Sequence, residues 1–518
     1  MGNVTVSFDA TNGEVPTVVH MLQESVNRFP DNEAVVFGDA RLTYRELANE
    51  IICLASKLSK LGSRGDRVAI VMSNGPAIVI SMYAVYAAGM QAVPLNPEYT
   101  ERELGAILID ADVLVVLCGD AQYARVGTLL DSMGRKPAML LPDLPQQAAS
   151  VPSPTLPLPD LAGAAKLQYT GGTTGRSKGV ILTHANVAVN VLQREALIPM
   201  SQGRERILCV TPLYHAYATA MALYPALSSG SALIILPRFK PELVFEAIER
   251  ERITLFAGAP SIYYALVGHP EFEHRDFSTL SASFSGSAPL PLEVLQKWQN
   301  ITGAPILEGY GLTESSPILT FNPRYGVRKA GSVGVAAPNT TVQIVIPDDR
   351  SEVLGSHEIG EVRAKGPQLM AGYRNLPDET SAAIRGGWLY TGDLGELDDE
   401  GYLFIRGRQK EMVIVGGFNV YPREIEELLF ALPFVRDCGV VGVSHPYRGE
   451  VVCAFLVLDP GATVTESEIL TYCQENLVRY KVPAAVHFVQ TLPRTAVGKL
   501  DRATLSDMGK AQMPDRKH

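Results

Sequence analysis

Between two apolar segments the chain carries Tyr169-Thr-Gly-Gly-Thr-Thr-Gly-Arg-Ser-Lys-Gly-Val180. Gly171, Gly172 and Gly175 permit positive φ and close approach of the main chain to a ligand. Successive backbone N–H groups can then converge on an anion. Thr170, Thr173, Thr174 and Ser177 add hydroxyl donors, and Lys178 adds a positive charge. The composition is that of a loop wrapped around a polyphosphate. It is not a Walker A loop, because Gly179 follows Lys178 where that pattern needs Ser or Thr. A flexible Gly/Thr linker is the competing reading. The lysine, and the return to apolar sequence at Val180-Ile-Leu182, argue against it.

A chain of 518 residues is too long for one core and implies two to four domains or subdomains. With 46% apolar and 19% charged residues it is globular. The net charge of −10 and the lack of a basic cluster argue against a nucleic-acid partner. Cys53, Cys118, Cys209, Cys438, Cys453 and Cys473 are scattered without a CxxC pair, as expected of reduced, buried thiols in a cytoplasmic protein. The first residues lack the pattern of a signal peptide, and the last four match no prenylation or peroxisomal address. Residues 73–96 are uncharged and long enough to span a bilayer, but Asn74, Pro76, Gly89, Gln91 and Pro94 punctuate them. A buried helix followed by a buried strand fits better. Peripheral membrane contact and a homodimer stay open.

Thr43-Tyr-Arg-Glu46 is a capping box, followed by Leu47, Ile51, Leu54, Leu58 and Leu61 at helical spacing and by Gly62 as a stop. Thr100-Glu-Arg-Glu103 repeats the box. Residues 68–72 and 113–117 read as buried strands. This alternation predicts an α/β fold of largely parallel sheets covered by helices. Short strands separated by turns follow residue 360. Pro422 then opens a helix whose N-terminal Glu424, Glu426 and Glu427 suit its dipole. The last hundred or so residues read as a small α+β domain with a core strand at 451–457. The expected division is 1–409 and 410–518.

Four further motifs accompany the glycine loop. They are Glu308-Gly-Tyr-Gly-Leu-Thr-Glu-Ser-Ser316, Trp388-Leu-Tyr-Thr-Gly-Asp-Leu394 with its aspartate in a tight turn, Ile405-Arg-Gly-Arg-Gln-Lys-Glu411, and Pro493-Arg-Thr-Ala-Val-Gly-Lys-Leu-Asp-Arg502. In these residues, taken in order over nearly the whole chain, the protein resembles the adenylate-forming superfamily: acyl-CoA synthetases, adenylation domains of peptide synthetases, and firefly-type luciferases. The resemblance implies a large N-terminal α/β domain and a small mobile C-terminal α+β domain. It implies a two-step reaction. A carboxylate attacks the α-phosphate of ATP to give acyl-AMP and pyrophosphate, and a thiol, usually CoA, then displaces AMP.

Under this resemblance Thr170, Gly171, Gly172, Thr173, Thr174, Gly175 and Lys178 hold the β- and γ-phosphates. Gly286, Ser287 and Ala288, in Ser285-Gly-Ser-Ala-Pro289, border the adenine and acyl group, and Glu308, Gly309, Tyr310 and Gly311 form the adenine motif, with Tyr310 stacking on the base. Thr313 contacts the α-phosphate and Glu314 coordinates Mg²⁺, a hard cation that prefers oxygen ligands. Asp393 accepts from the ribose hydroxyls, as an acceptor-only carboxylate can, and Arg408 contacts the ribose too. Lys499 bridges the substrate carboxylate and the α-phosphate. Lys410 stands at the hinge between steps, and Gly416 and Gly417 line the CoA tunnel. The bland readings are a core tyrosine for Tyr310, a surface carboxylate for Glu314, a turn aspartate for Asp393 and a solvated lysine for Lys499.

Pro212-Leu-Tyr-His-Ala-Tyr-Ala-Thr-Ala-Met221 resembles the segment near the acyl site, where His215 orients the carboxylate or lines the pocket. Nothing there offers a charge to read an amino group, which argues against amino-acid activation. The run Gly-Phe-Asn-Val-Tyr-Pro at 417–422 is similar to that of fatty-acyl-CoA synthetases and favours a medium- or long-chain fatty acid. Aryl and alicyclic acids are the alternatives. Transfer to a separate carrier protein and a luciferase-like second step also remain open. A non-catalytic nucleotide-binding module is the reading from a different class.

Overall fold

The computed structural model describes residues 15–134, 137–140, 153–170, 177–347, 352–415, 418–445, 449–495 and 499–512. They pack as two compact units. One comprises Met1–Leu290, Val294–Val342 and Ala364–Leu389, and the other Pro291–Glu293, Gln343–Arg363 and Tyr390–His518. Residues 343–363 and the strand Leu403–Arg408 therefore group by packing with the C-terminal residues, whereas the expected division is at 410.

The first unit is built on two mainly parallel sheets, of nine and seven strands. Its helices start where the sequence predicts. In the helix Tyr44–Leu61, the Thr43 N–H donates to Glu46 Oε2 at 2.8 Å, and the Glu46 N–H returns to Thr43 Oγ1 at 3.3 Å. The box at Thr100 and Glu103 repeats this at 2.9 and 3.3 Å. Such caps stabilise a helix by about 1 kcal/mol each. Leu47, Ile51, Leu54 and Leu58 are buried, but Leu61, in the last turn, is exposed. Gly62 ends the helix in an extended conformation, and a Cβ there would sit 2.3 Å from Leu114 Cδ2. Its backbone is not left-handed, and a Cβ would meet only movable side-chain tips, so a larger residue could be accommodated there by side-chain shifts.

The uncharged segment becomes the helix Pro76–Ala87, buried at every residue but Ala77, and the buried strand Gln91–Leu95. Among the described residues no helix is long and apolar enough to cross a membrane. Five cysteines are buried. Cys53 is not, because it lies on the outer face of the helix Tyr44–Leu61.

In the second unit Gly449–Leu458 pairs antiparallel with Val435–His445 and parallel with Ala485–Phe488, so the expected core strand is central. The helix Pro422–Phe430 buries Ile425 and Leu429. Glu426 does more than complement the helix dipole. It accepts from the Val440 N–H at 2.8 Å and takes Arg502 in a two-pronged ion pair at 2.7 and 3.0 Å. Arg502 also reaches Glu411 at 2.9 Å. One guanidinium thus joins the residue after Lys410, the helix Pro422–Phe430 and the helix Arg502–Gln512.

Candidate active site

Four strands of the nine-stranded sheet run parallel and in step. Cys209 lies level with Ala257, Gly258 with Ser285, and Ser285 with Glu308. Their carboxyl ends form one edge, from which the segments 212–221, 258–263, 286–288 and 308–311 depart. Open α/β sheets bind ligands at that edge, because loops and helix N-termini converge there while the strands below stay rigid.

Several side chains fasten this edge. Tyr217 donates its hydroxyl to Phe284 O at 2.8 Å and Gly258 O at 3.1 Å. Burial pushes that phenol well above its usual range, so it stays a donor. Tyr263 likewise donates to Phe284 O at 2.7 Å. A Cβ on Gly286 would meet the Tyr217 ring at 2.9 Å. The next residue, Ser287, takes φ +72 and is exposed with Ala288. A left-handed serine is a strained position of the kind that clusters at ligand sites.

Glu308 is buried and Tyr310 half-buried in the strand Ile306–Gly311. A Cβ on Gly309 would lie 2.0 Å from Phe321 Cδ2, and one on Gly311 would lie 1.7 Å from Pro317 O. The glycines flanking Tyr310 are thus required by the neighbouring strand Ile318–Phe321 and by Pro317 just before it, whatever the ring stacks on. His215 caps the short helix Ala216–Ala218, its Nδ1 accepting from the Tyr217 N–H at 3.3 Å.

The strands on either side of the glycine loop, Ala164–Thr170 and Lys178–Thr183, pair antiparallel. Thr170 and Lys178 face each other at its mouth, and the Thr170 hydroxyl donates to Lys178 O at 3.5 Å. Gly171, Gly172, Thr173, Thr174 and Gly175 lie outside the described residues. The strand Lys178–Thr183 is flanked by the two-residue strand Gly372–Tyr373, with Tyr373 level with Val180. Lys178 Nζ lies 5.0 Å from the centre of the Tyr373 ring, a cation–π distance. The same tyrosine donates its hydroxyl to Glu314 Oε1 at 2.8 Å. Burial, reinforced by the Glu314 charge, holds that phenol well above its usual range. Thr313 and Glu314 begin a 3₁₀ turn, anchored where the Met370 N–H donates to Glu314 O at 2.8 Å. Lys178 and Glu314, 136 positions apart in the sequence, are thus joined through one ring that the motif reading did not single out. Its only signal was the Gly-Tyr pair at 372–373. Among the described residues no group of three or more His, Cys, Asp or Glu could hold a metal by itself. Mg²⁺ takes most of its ligands from phosphates and water, so a single protein carboxylate such as Glu314 is compatible with it.

In the second unit Asp393 and Arg408 are cross-strand partners, with Arg408 Nε 2.9 Å from Asp393 Oδ1. Asp393 is buried in the strand Trp388–Leu397. The tight turn expected there is instead a glycine irregularity inside a strand, with Gly392 at φ +70. Lys410 is exposed in the 3₁₀ turn Gln409–Glu411. Lys499 is exposed at the base of a loop closed by Thr495 N–H to Lys499 O at 2.7 Å and Lys499 N–H to Thr495 Oγ1 at 3.2 Å. Gly416 and Gly417 lie outside the described residues.

Two mainly parallel sheets, one carrying the segments 212–221, 286–288 and 308–314 at its strand edge, together with a second α+β unit, are the architecture of an adenylate-forming enzyme. The family profile described as AMP-binding enzyme matches residues 22–374, and that described as AMP-binding enzyme C-terminal domain matches 424–499. The chain belongs to the AMP-binding enzyme family. It is 38% identical to a long-chain-fatty-acid–CoA ligase of Bacillus subtilis (strain 168), covering 94% of each chain. It is 36% identical to a feruloyl-CoA synthase of Amycolatopsis sp, covering 91% of this chain and 94% of that protein. The crystal structure of ATP-bound MatB from Rhodopseudomonas palustris superposes with a TM-score of 0.87 at 32% identity, over 95% of this chain and 99% of the other.

Proposed function

We propose that this protein is an AMP-forming carboxylic acid–CoA ligase, with a medium- or long-chain fatty acid as the favoured substrate class. The observation that carries the reading is the in-step register of the parallel strands that end near Cys209, Gly258, Ser285 and Glu308, which supports a common site for the segments 212–221, 286–288 and 308–314 at one strand edge. A cytoplasmic setting suits its use of ATP and CoA.

In this reading Lys178, with the hydroxyls and N–H groups of 170–177, neutralises the β- and γ-phosphates. Tyr310 stacks on adenine, Thr313 donates to the α-phosphate, and Glu314 together with phosphate oxygens holds Mg²⁺, which neutralises charge on the pyrophosphate leaving group. Gly286, Ser287 and Ala288 border adenine and acyl group, and His215 lies beside the carboxylate. Asp393, ion-paired with Arg408, accepts from the ribose hydroxyls, and Arg408 contacts the ribose too. Lys499 bridges the attacking carboxylate and the α-phosphate, where charge develops during transfer. Rotation of residues 410–518 about Lys410 then exchanges the Lys499 loop for a thiol channel along Gly416 and Gly417, and the CoA thiolate displaces AMP.

The test is CoA-dependent AMP release with Mg²⁺–ATP across short to long fatty acids, benzoates, cinnamates and alicyclic acids. An optimum among the fatty acids with acyl-CoA formed supports the reading. An optimum among the ring acids moves the substrate class. Pyrophosphate release without acyl-CoA transfers the acceptor to a carrier protein. ATP binding without pyrophosphate exchange on any acid replaces the enzyme by a nucleotide-binding module.

A further inference from the structure

Lys166 lies in the strand Ala164–Thr170, four residues before the phosphate loop begins, and only 2% of it is exposed. Among the described residues its ammonium makes one hydrogen bond, to Thr219 Oγ1 at 3.3 Å, and pairs with no carboxylate. The Thr219 hydroxyl spends its own proton on Ala216 O at 2.9 Å. A buried amine with three donors and one acceptor is costly, and burial drags its pKa down to about 7. A strand interior of this kind calls for Val, Leu or Phe.

The surroundings point to a ligand. Side chains alternate along a strand, so Lys166, Gln168 and Thr170 share a face. Gln168 donates to Tyr214 O at 3.1 Å, while its Oε1 is buried without a hydrogen-bond partner. Both side chains thus reach the segment 212–223, which holds His215. Thr219 opens a π-helical turn, Thr219–Leu223. Such widened turns are frequent at functional sites.

We infer that Lys166 is a specificity determinant at the remote end of the acyl site, and that the acid activated here carries a second hydrogen-bond acceptor, a hydroxyl or carboxylate, at the end away from the reacting carboxyl. The inference rests on the ligase reading above and narrows its substrate class. Lys166 lies four residue steps along the strand from Thr170, about 13 Å. That length suits an ω-hydroxy or ω-carboxy acid of medium chain length. A plain fatty acid of the same length would leave the buried amine with only the Thr219 hydroxyl as acceptor among the described residues. A site built around a polar partner discriminates strongly against an analogue lacking it.

The experiment measures kcat/KM for decanoate, 10-hydroxydecanoate and decanedioate, by CoA-dependent AMP release, in wild type and Lys166→Met. Expected is a wild-type preference of about 10-fold or more for one functionalised acid over decanoate. Lys166→Met should abolish that preference, through the functionalised acid, while decanoate holds or improves. Better turnover of decanedioate than of the hydroxy acid identifies a carboxylate, and the reverse a hydroxyl. Thermal unfolding checks the fold. If Lys166→Met does not fold, Lys166→Gln keeps one donor group, and should retain the hydroxy acid while losing the diacid. Turnover of decanoate with the same ratios in wild type and variant overturns this inference alone. No turnover of any of the three acids overturns the medium-chain ligase reading and this inference with it.

Discussion

The side chain asked to do most is Lys499. It is exposed, and its backbone is fixed by hydrogen bonds with Thr495. Its proposed task ends once acyl-AMP exists. Lys499→Ala should therefore lower adenylation by about 100- to 1000-fold and leave thioester formation from supplied acyl-AMP near wild type. Pyrophosphate exchange and single-turnover thioesterification measure the two halves, and an equal loss in both refutes the assignment. Asp393 illustrates what a motif says about a residue and what it omits. Its identity as a candidate was legible in Thr-Gly-Asp, but its engagement by Arg408 was not, because cross-strand partners depend on register. Cys53 and Leu61 are exposed for a related reason. Residue type predicts burial on average, while the covering of each helix face decides it.

At the scale of elements, the two-residue strand Gly372–Tyr373 has consequences beyond its length. By pairing with Val180 and Ile181 it sets one ring against Lys178 and one hydroxyl against Glu314. Tyr373→Phe keeps the ring and removes the donor. It should raise the Mg²⁺ concentration for half-maximal pyrophosphate exchange by about 10-fold, the usual scale for losing a partner of a metal-binding carboxylate. The KM for ATP should change little. Tyr373→Leu removes the ring as well, and should raise that KM too. Equal Mg²⁺ requirements in Tyr373→Phe and wild type would dismiss the positioning role. The capping boxes at Thr43 and Thr100 were readable because capping is settled within four residues. The strand at 372 was not, because two residues carry no period.

For the molecule as a whole, the proposed rotation about Lys410 makes one hinge serve two reactions. Lys410→Pro fixes φ near −65° and removes an N–H. Acyl-AMP should form at a near wild-type rate and accumulate, while acyl-CoA appears at least about 10-fold more slowly, as read by quenched single-turnover assays. An unchanged rate of acyl-CoA formation contradicts the hinge. From the sequence alone came the α/β class, the helices and strands with their caps, the ordered motifs, and through them the resemblance to adenylate-forming enzymes. These rest on periodicity and on chemistry confined to short stretches of chain. Tertiary structure alone decided which distant residues meet: Lys178 with Tyr373 and Glu314, Asp393 with Arg408, and Lys166 with Thr219. Those meetings follow from strand order and register across long crossovers, which local pattern does not encode.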